Sequence, residues 1–277
     1  MNALQKIIKK ITPPIFIEIV KGIFFSTKSK YGFHGNYTCW EEVSKQVTGW
    51  ETDIIFDKIN QSTNQLEKKD GSFERDGEII SSTNQNFPLI YSLINSINIE
   101  KKELSIIDFG GSLGTHYKRY RQFINNGIKI SWAIVEQKKY VDYAKKVNIN
   151  LELNFHYSIS ESLKINNYST FFSSGTIQYI EKPYKLMDEI MDYNFSTIVF
   201  DRIFFLNDVN DRICIQTVNP KLFYHASFSV WLFNEAKFKK HMSKKYTLIL
   251  EFMSEDGDNQ IEGIRIYHKG FYYKLKK

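Results

Sequence analysis

Cysteine and long apolar runs are scarce in this chain of 277 residues. Its two cysteines, Cys39 and Cys214, cannot form a disulfide framework or a four-cysteine zinc site, and their separation fits no C-x-x-C motif. No stretch of about 18 uninterrupted apolar residues is present, which excludes a membrane-spanning helix. We therefore expect a protein that works in a reducing cytosol.

Internal repeats, low-complexity tracts and compositional extremes are also missing. Hydrophobic residues make up 42% and charged residues 25% of the chain, which is ordinary for a folded protein and excludes intrinsic disorder and collagen. The length corresponds to about 1.8 typical domains. We therefore expect one large α/β domain with an appendage, or two small domains.

Net positive charge is scarce outside the first 30 residues. The net charge is +6, but six lysines and Glu18 give residues 1–30 a net charge of +5, which leaves +1 for the rest. Proteins that bind duplex phosphates carry a basic face on the globular body. We therefore predict that the chain has no nucleic-acid partner.

Residues 1–30 form a basic amphipathic segment, in which apolar residues alternate with lysines around Thr12-Pro13-Pro14. The segment is too short and too charged to span a bilayer, and no small-residue cleavage site follows it, so we expect no signal peptide. Two interpretations remain open. It packs on the body as a helix or arm, or it lies on an anionic leaflet, where each basic residue contributes about 1 kcal/mol. The second interpretation predicts peripheral association with the inner face of the membrane.

Two regions with different patterns follow. Residues 31–102 have a mostly helical pattern. One of the predicted helical stretches in this region ends at a turn, Asp70-Gly71. From residue 103, short β-branched runs alternate with helical segments, which predicts βαβ units and a parallel sheet. The predicted strands are 104–109, 129–135, 151–157, 170–174 and 197–200. We interpret residues 31–102 as a helical cap or lid and residues 103–277 as the ligand-binding domain.

The end of the chain departs from this alternation. Strand-like runs at 246–252 and 264–275 are separated by a turn, 254–259, that leaves no room for a crossover helix. These two strands should be antiparallel. The predicted fold class is therefore α/β and Rossmann-like: a central, mostly parallel, seven-stranded sheet with a C-terminal antiparallel hairpin, plus a helical N-terminal cap.

A glycine-rich turn follows the first predicted strand of the sheet. It reads Asp108-Phe-Gly-Gly-Ser-Leu-Gly114 and leads into a helix that begins near Thr115. Glycines allow a backbone to turn sharply and approach a ligand, and a helix start offers unpaired N–H groups. The order Asp-x-Gly-x-Ser-x-Gly differs from the dinucleotide fingerprint G-x-G-x-x-G. The turn predicts a small-molecule site of another kind.

Two further strand ends carry polar residues. Glu136 and Gln137 end the second predicted strand, where an acidic side chain can accept hydrogen bonds from both hydroxyls of a ribose. The alternative for Glu136 is stabilisation of the following helix through its dipole. Residues from Ser174 to Tyr179 follow the fourth strand and should border the same ligand.

Three windows together resemble a known family. The glycine turn is similar to the D/E-x-G-x-G-x-G first motif of S-adenosylmethionine (SAM) methyltransferases, with Ser112 in place of the middle glycine. With Val135-Glu-Gln137 and residues 173–184, it resembles class I SAM-dependent methyltransferases often encoded among bacterial surface-polysaccharide genes. The resemblance extends to motifs along nearly the whole chain: Tyr31 to Tyr37 with Trp40, Phe73-Glu-Arg-Asp76, Asp201-Arg202, Asp211-Arg212 with Gln216, the region from Trp231 to Phe233, and Lys269-Gly-Phe271.

The resemblance implies a SAM cofactor and methyltransferase activity. The expected cofactor-binding residues are Asp108, Gly110, Gly111, Ser112, Gly114, Glu136, Gln137, Ser174 and Gln178. The gene context implies O-methylation of a sugar in a bacterial surface glycan or its precursor. Two alternatives stay open: methylation of a small metabolite or peptide amine, and a non-catalytic partner role in glycan assembly.

A general base for an alcohol acceptor has three candidates. Gln178 stands where many small-molecule methyltransferases have a histidine. Asp201, after the fifth strand, is the first candidate, and the alternative for it is a structural ion pair with Arg202 or Arg212. His225 is the second, and His116, just inside the helix after the glycine turn, is the third.

Aromatic and charged residues supply the candidates for acceptor binding. Tyr31, Phe33 and Tyr37, with Trp40, form either a lid or simple packing of the cap. Tyr179 and Arg202 complete the predicted substrate-binding set. Asp201, Asp208 and Asp211 could also be read as a magnesium site, but the asparagine-rich loop around the last two is typical of a solvated turn. We therefore predict no metal.

Overall fold

The structure, a computed structural model, describes residues 31–66, 72–81, 85–220 and 225–277. The basic segment 1–30 and the turn predicted at Asp70-Gly71 lie outside the described residues. The strands are β1 (Gly32–Tyr37), β2 (Ser72–Arg75), β3 (Glu78–Ser81), β4 (Glu103–Phe109), β5 (Lys129–Val135), β6 (Leu153–His156), β7 (Thr170–Ser174), β8 (Thr197–Leu206), β9 (Arg212–Thr217), β10 (Ser227–Leu232), β11 (Tyr246–Met253), β12 (Asn259–Ile261) and β13 (Ile264–Leu275).

The helices lie between these strands. They are α1 (Trp40–Ser44), α2 (Asp53–Leu66), α3 (Phe87–Ile94), α4 (Thr115–Tyr120), α5 (Lys138–Val147), α6 (Ile159–Ile165), α7 (Pro183–Asp192) and α8 (Glu235–Met242). Local sequence sets several helix starts. The side chains of Asn86, Ser158 and Asn234 accept hydrogen bonds from backbone N–H groups in the first turns of α3, α6 and α8.

An eight-stranded sheet forms the centre of the molecule, in the order β11-β13-β8-β7-β4-β5-β6, with β12 paired to one end of β13. Strands β4 to β8 are mutually parallel, whereas β13 runs antiparallel to both β8 and β11. The five parallel strands and the antiparallel hairpin are confirmed. The predicted strand number is corrected from seven to eight, because the loop after β11 itself forms β12.

Both faces of the parallel sheet are buried. Ile106 and Ile107 are neighbours in β4, so their side chains point to opposite faces, and both are fully buried in different core clusters. Phe171 and Phe172 of β7 divide between the same two clusters. This is the pattern of a sheet with helices on both sides, and it leaves the carboxyl ends of the strands as the place for a ligand.

The prediction of a helical cap over residues 31–102 is only partly correct. Helices α1 to α3 lie in this region, but so do three strands. Strand β1 joins β9 and β10 in a separate antiparallel sheet, and β2 pairs with β3 in a hairpin that contacts α2 and α4. Short strands with partners far away in sequence leave a weak local pattern, which is why the helical signal dominated.

Strand β8 continues six residues beyond its predicted end at Phe200. Its parallel pairing with β7 stops at Asp201, and Arg202 then adopts a φ of +56°. The pairing of β8 with β13 shifts register opposite this point, beside Gly270. Asp201 therefore lies inside a strand, at an irregularity, and not at a strand end as expected. The irregularity turns the strand where the parallel sheet ends.

No helix among the described residues has the length and hydropathy needed to cross a bilayer.

Phe238 of α8 tests the packing of the helix layer. Its ring is fully buried, with ring centroids of Phe200, Phe205 and Phe233 at 5.5–5.6 Å. Phe238→Ala should lower the free energy of unfolding by about 3–5 kcal/mol, the cost of a large buried cavity. Urea denaturation measures the change. The control Leu151→Ala, at a residue 96% exposed, should change it by less than about 0.5 kcal/mol; equal effects would contradict the packing described.

Candidate functional site

A cleft opens at the carboxyl ends of β4, β5 and β7, between the sheet and the β2–β3 hairpin. Of the residues predicted from sequence, those that line it are Gly110, Gly111, Ser112, Glu136, Gln137, Ser174, Tyr179, Asp201 and Arg202. His116 lines it as well. The structure thus brings together residues spread over almost one hundred positions of the chain.

The glycine turn forms one wall of the cleft. Gly110 has a φ of +77°, and a β-carbon there would lie 2.2 Å from Thr176 Oγ1, so only glycine allows the turn to pack against the loop after β7. Ser112 donates its backbone N–H to Glu136 Oε2 at 3.3 Å. Its own hydroxyl is buried and has no partner among the described residues. The turn therefore presents an unsatisfied hydroxyl beside a carboxylate.

Glu136 is held at the end of β5 by backbone groups. Besides the Ser112 contact, its Oε1 accepts the N–H of Gln137 at 2.9 Å. Burial raises the pKa of Glu136, partly offset by these two hydrogen bonds. The hydrogen bond from Gln137 agrees with the alternative interpretation, in which Glu136 stabilises the start of the following helix. The hydrogen bond from the glycine turn is not needed for that role. A fixed carboxylate with spare lone pairs at the cleft wall can accept hydroxyl donors.

Asp108 lies beneath the glycine turn and not on the cleft surface. Its side chain is fully buried; Trp132 Nε1 donates to it at 3.1 Å, and His116 Nδ1 lies within hydrogen-bond distance of it at 3.1 Å. A β-carbon on Gly111 would lie 2.6 Å from the Asp108 carboxyl carbon. The carboxylate thus supports the turn from below, and direct contact between Asp108 and a cofactor stays a prediction.

Gly114 and Gln178 also lie away from the cleft surface. A β-carbon on Gly114 would contact the Leu153 side chain at 2.9 Å, so this glycine serves close packing at the start of α4. Gln178 is fully buried, and its Nε2 donates to the Arg202 carbonyl at 3.1 Å. Neither residue is among the described residues that line the cleft, and their cofactor roles stay predictions.

Asp201 is held by two hydroxyl groups. Its Oδ2 accepts from Ser174 Oγ at 3.0 Å and its Oδ1 from Ser254 Oγ at 2.9 Å. Burial raises the pKa of this carboxyl group above its ordinary value. The structure therefore does not show the ion pair between Asp201 and Arg202 or Arg212 that was the alternative interpretation. A buried carboxylate at the cleft, bound by neutral donors alone, can act as a proton acceptor.

Arg202 joins three parts of the chain. Its Nε donates to Asp256 at 2.6 Å, and one terminal nitrogen donates to Asp76 at 2.6 Å. Burial alone would lower the pKa of this guanidinium, but Asp256 and Asp76 hold it well above its ordinary value. The β2–β3 turn, the irregularity of β8 and the loop after β11 are thereby connected at the cleft.

Two more arginines line the cleft, and both are paired. Arg119 of α4 binds Glu255 at 2.8 Å, and its guanidinium lies 3.7 Å from the centre of the Phe73 ring. Arg75 lies 3.6 Å from Glu255 and 3.7 Å from Asp256. Neither arginine was a candidate site residue from the sequence. The motif Phe73-Glu-Arg-Asp76 was a signal, because the family resemblance included it, but only the fold brings it opposite the glycine turn.

Glu74 is the buried carboxylate of that motif. It is 2% exposed, accepts the N–H of Gly77 at 2.7 Å and accepts the Thr115 hydroxyl at 2.5 Å. Burial raises the pKa of Glu74, against the opposing effect of these hydrogen bonds. The hairpin is thus fastened to the first residue of α4. The other cleft residues that sequence reasoning missed include Trp50, Tyr120 and Tyr140.

Aromatic rings form the opposite side of the cleft. Trp50 stacks on Phe228 with ring centroids 3.9 Å apart and meets Tyr179 edge-on at 4.9 Å. The Tyr179 hydroxyl donates to Gln216 Oε1 at 2.6 Å. Trp50 and Tyr179 both line the cleft, and they offer an apolar surface beside the charged groups.

The aromatic residues predicted to form a lid lie elsewhere. Phe33 packs edge-on against Phe204 in a core cluster, the Tyr37 hydroxyl reaches Gln46 at 3.5 Å, and Trp40 stacks on Trp231. None of these, nor Tyr31, is among the described residues that line the cleft. The packing interpretation therefore describes their contacts, and acceptor binding by Tyr31, Phe33 and Tyr37 stays a prediction without structural support.

The remaining sequence candidates are also outside the cleft. His225 is exposed and is not among its described lining residues, so its catalytic role stays a prediction. Asp211 is engaged by the Tyr184 hydroxyl and the Asn234 N–H, and Asp208 lies 3.7 Å from Arg212. Within the described ranges, no three acidic, histidine or cysteine side chains are grouped as metal ligands.

Comparison with known proteins gives distant structural similarities. No family model matches the chain, and no curated protein matches it. Among solved structures, the N-terminal domain of EvdMO1 with SAH bound has 10% identity and a TM-score of 0.45, covering 79% of this chain and 97% of that one. A SAM-dependent methyltransferase from Clostridium acetobutylicum ATCC 824 has 10% identity and a TM-score of 0.46, with coverages of 80% and 99%. Magnesium protoporphyrin IX methyltransferase (ChlM) from Synechocystis PCC 6803 with bound SAM has 10% identity and a TM-score of 0.43, with coverages of 94% and 96%. Similarities this distant identify neither an activity nor an acceptor.

Glu74→Gln tests the buried carboxylate. Because burial raises the Glu74 pKa, the unfolded chain loses this proton at lower pH than the folded protein does, and stability falls as pH rises through that interval. Glutamine can keep both hydrogen bonds, since the threonine hydroxyl can accept instead of donate. The variant should therefore melt at a higher temperature than wild type at pH 7.5, and the difference should vanish near pH 4. A difference that grows toward acid would show the opposite linkage.

Proposed function

We propose that the chain is a SAM-dependent methyltransferase, acting on a hydroxyl group of a sugar in a bacterial surface glycan or its precursor. The observation that supports the cofactor most directly is the pairing of Glu136 with the glycine turn. It sets a carboxylate at the carboxyl edge of a parallel sheet, where such folds bind a ribose. The surface-glycan context rests on the family resemblance alone.

The residues present fit the cofactor. Glu136 would accept the ribose hydroxyls, and Gly110 to Ser112 would border the amino-acid portion, with the unpartnered Ser112 hydroxyl available to it. When bound, SAM supplies an electrophilic methyl group on a sulfonium sulfur. The chain's contribution to transfer is then mainly to orient an acceptor and to exclude water. The negative wall of Glu74, Glu136 and Asp201 also favours a cationic ligand.

The other side of the cleft suits a sugar hydroxyl. Trp50 and Tyr179 offer ring faces and edges for the apolar face of a pyranose. Asp201 and Arg202, which line the same cleft, can bind hydroxyl groups as acceptor and donor. Asp201 is one candidate base for the proton that the hydroxyl loses.

An amine acceptor is the second candidate, and a specific observation favours it. Each arginine of the cleft is paired with a carboxylate, whereas Glu74, Glu136 and Asp201 are bound by neutral donors alone. The surplus charge of the wall is therefore negative, and it would attract a protonated amine of a metabolite or peptide. A non-catalytic partner in glycan assembly is the third candidate, and it is distinguished by a failure to turn over SAM.

The cellular context stays a prediction. A cytoplasmic location, and association of residues 1–30 with the inner face of the membrane, rest on composition alone, since that segment lies outside the described residues.

Glu136→Ala tests the cofactor site. Loss of charge-assisted hydrogen bonds to a ribose should weaken binding of S-adenosylhomocysteine (SAH) by about 1–3 kcal/mol, measured by isothermal titration calorimetry. Glu103→Ala is the matched control, because Glu103 begins β4 at the opposite edge of the sheet and pairs with Lys129. The control should bind SAH as wild type does. Equal affinity of the folded Glu136 variant and the control would refute the assignment.

Asp201→Asn tests the acceptor side. The variant keeps the shape of the side chain and should bind SAH normally. If Asp201 is the base, methyl transfer should fall by about 10²- to 10⁴-fold, the contribution of a positioned base. Transfer is followed as a gain of one methyl group on glycans from cells that express the protein, by mass spectrometry. Wild-type transfer by Asp201→Asn would leave Asp201 a structural role only. If wild-type protein leaves the glycans unmodified and methylates an amine instead, the result would support the amine acceptor.

A further inference from the structure

We propose that Asp108 and His116 form a catalytic dyad, in which Nε2 of His116 takes the proton of the acceptor and Asp108 is the positioning residue. The inference rests on the proposed function, because it assigns a base for methyl transfer. Of the two candidate bases it selects His116 over Asp201, and it gives the motif aspartate a role other than contact with the cofactor.

The contacts of Asp108 bear on which nitrogen of the His116 imidazole carries the proton. His116 Nδ1 lies 3.1 and 3.2 Å from the two carboxylate oxygens, and Trp132 Nε1 donates to one of them at 3.1 Å. An ionised carboxylate can only accept, so in the dyad proposed here the neutral imidazole carries its proton on Nδ1. Nε2 is then an unprotonated acceptor. This is the arrangement by which a buried aspartate orients a histidine base in the catalytic triads of hydrolases.

The surroundings hold the ring in this orientation. Asp108 and Trp132 are both fully buried, and the Phe172 ring meets the imidazole edge-on at 4.9 Å. His116 lies on the face of α4 that lines the cleft, and its side chain is 19% exposed. Within the described part of the chain, Nε2 makes no hydrogen bond. The free nitrogen is therefore available to a ligand.

Asp201 and His116 differ in whether their acceptor atoms already hold hydrogen bonds. Both oxygens of Asp201 already accept hydroxyl protons from Ser174 and Ser254, so a substrate must compete with them. Nε2 of His116 has no such competitor. In the step proposed, the oxygen–carbon bond forms as the carbon–sulfur bond of SAM breaks, leaving the neutral thioether SAH. The hydroxyl proton passes to Nε2, and the Asp108 carboxylate balances the charge of the resulting imidazolium.

Nitrogen NMR of the tautomer tests the dyad without any acceptor. The protein is labelled with ¹⁵N-histidine, and the His116 signals among six histidines are assigned by their loss in His116→Gln. Neutral His116 should be protonated on Nδ1, whereas free histidine favours Nε2. Asp108→Asn should shift the proton to Nε2. Trp132→Phe, which removes only the other donor to Asp108, should leave the tautomer unchanged. An Nε2-protonated wild type overturns the proposal, even if a variant fails to fold.

Chemical modification tests whether Nε2 faces the ligand. Diethyl pyrocarbonate should acylate both His116 and the exposed His225, as mapped by mass spectrometry. SAH at about 100 times its Kd should slow modification of His116 about 100-fold, in proportion to the free protein. His225 is the internal control and should be unaffected. An unreactive His116, or one that SAH does not protect although calorimetry shows SAH binding, overturns the proposal. Absence of SAH binding would instead refute the proposed function, with the tautomer result unaffected.

Turnover then separates the two candidate bases. With the unmethylated form of the glycan, taken from cells that lack the protein, as acceptor, His116→Gln should lower kcat by about 10²- to 10⁴-fold, the range of a positioned base, with the Kd for SAH within a factor of a few of wild type. Wild-type kcat in His116→Gln would overturn the proposal. Reduced turnover in Asp108→Asn, with SAH affinity retained, would support Asp108 as the residue that positions the imidazole.

Discussion

The ion pairs of the Arg202 guanidinium are the interactions on which the cleft depends. The guanidinium binds Asp76 in the β2–β3 turn and Asp256 in the loop after β11, so it connects the cap hairpin to the sheet. Its backbone also takes part, because the Arg202 N–H binds Ser254 and its carbonyl binds Gln178. The left-handed backbone at Arg202, which itself costs about 1–3 kcal/mol, is maintained by these contacts.

The charges of the cleft divide into two groups with different chemistry. The arginines are neutralised by Asp76, Glu255 and Asp256, which makes that part of the wall rigid and close to neutral. The carboxylates of Glu74 and Asp201 are held by hydroxyl or backbone donors, and burial raises the pKa of each. A cationic ligand would lower the cost of ionising them. The same wall therefore disfavours a ligand that carries phosphate close to these carboxylates.

Most of the fold could be predicted from the alternation of short apolar runs and helical segments. Strands β4, β5 and β7 follow from local pattern because each is a nearly continuous run of buried residues. The antiparallel hairpin of β11 and β13 follows from two strand-like runs separated by a short turn. Strands β1, β9 and β10 could not be found in this way. Their stability comes from pairing between residues such as Phe33 and Gln216, which are far apart in sequence, and their burial patterns are mixed.

The sequence by itself determined the glycine turn, the acidic residue after β5 and the polar residues after β7, because parallel strands bring their carboxyl ends to one edge. Only the tertiary structure decided what faces that edge from the other side. Glu74, Arg75 and Asp76 reach it through a hairpin about thirty residues before the first strand of the parallel sheet. The structure also decided that Asp108 lies below the turn, bonded to His116 and Trp132. The reason is physical: hydrogen-bond and ion-pair partners of buried charges are set by packing between distant segments, and no local periodicity records them.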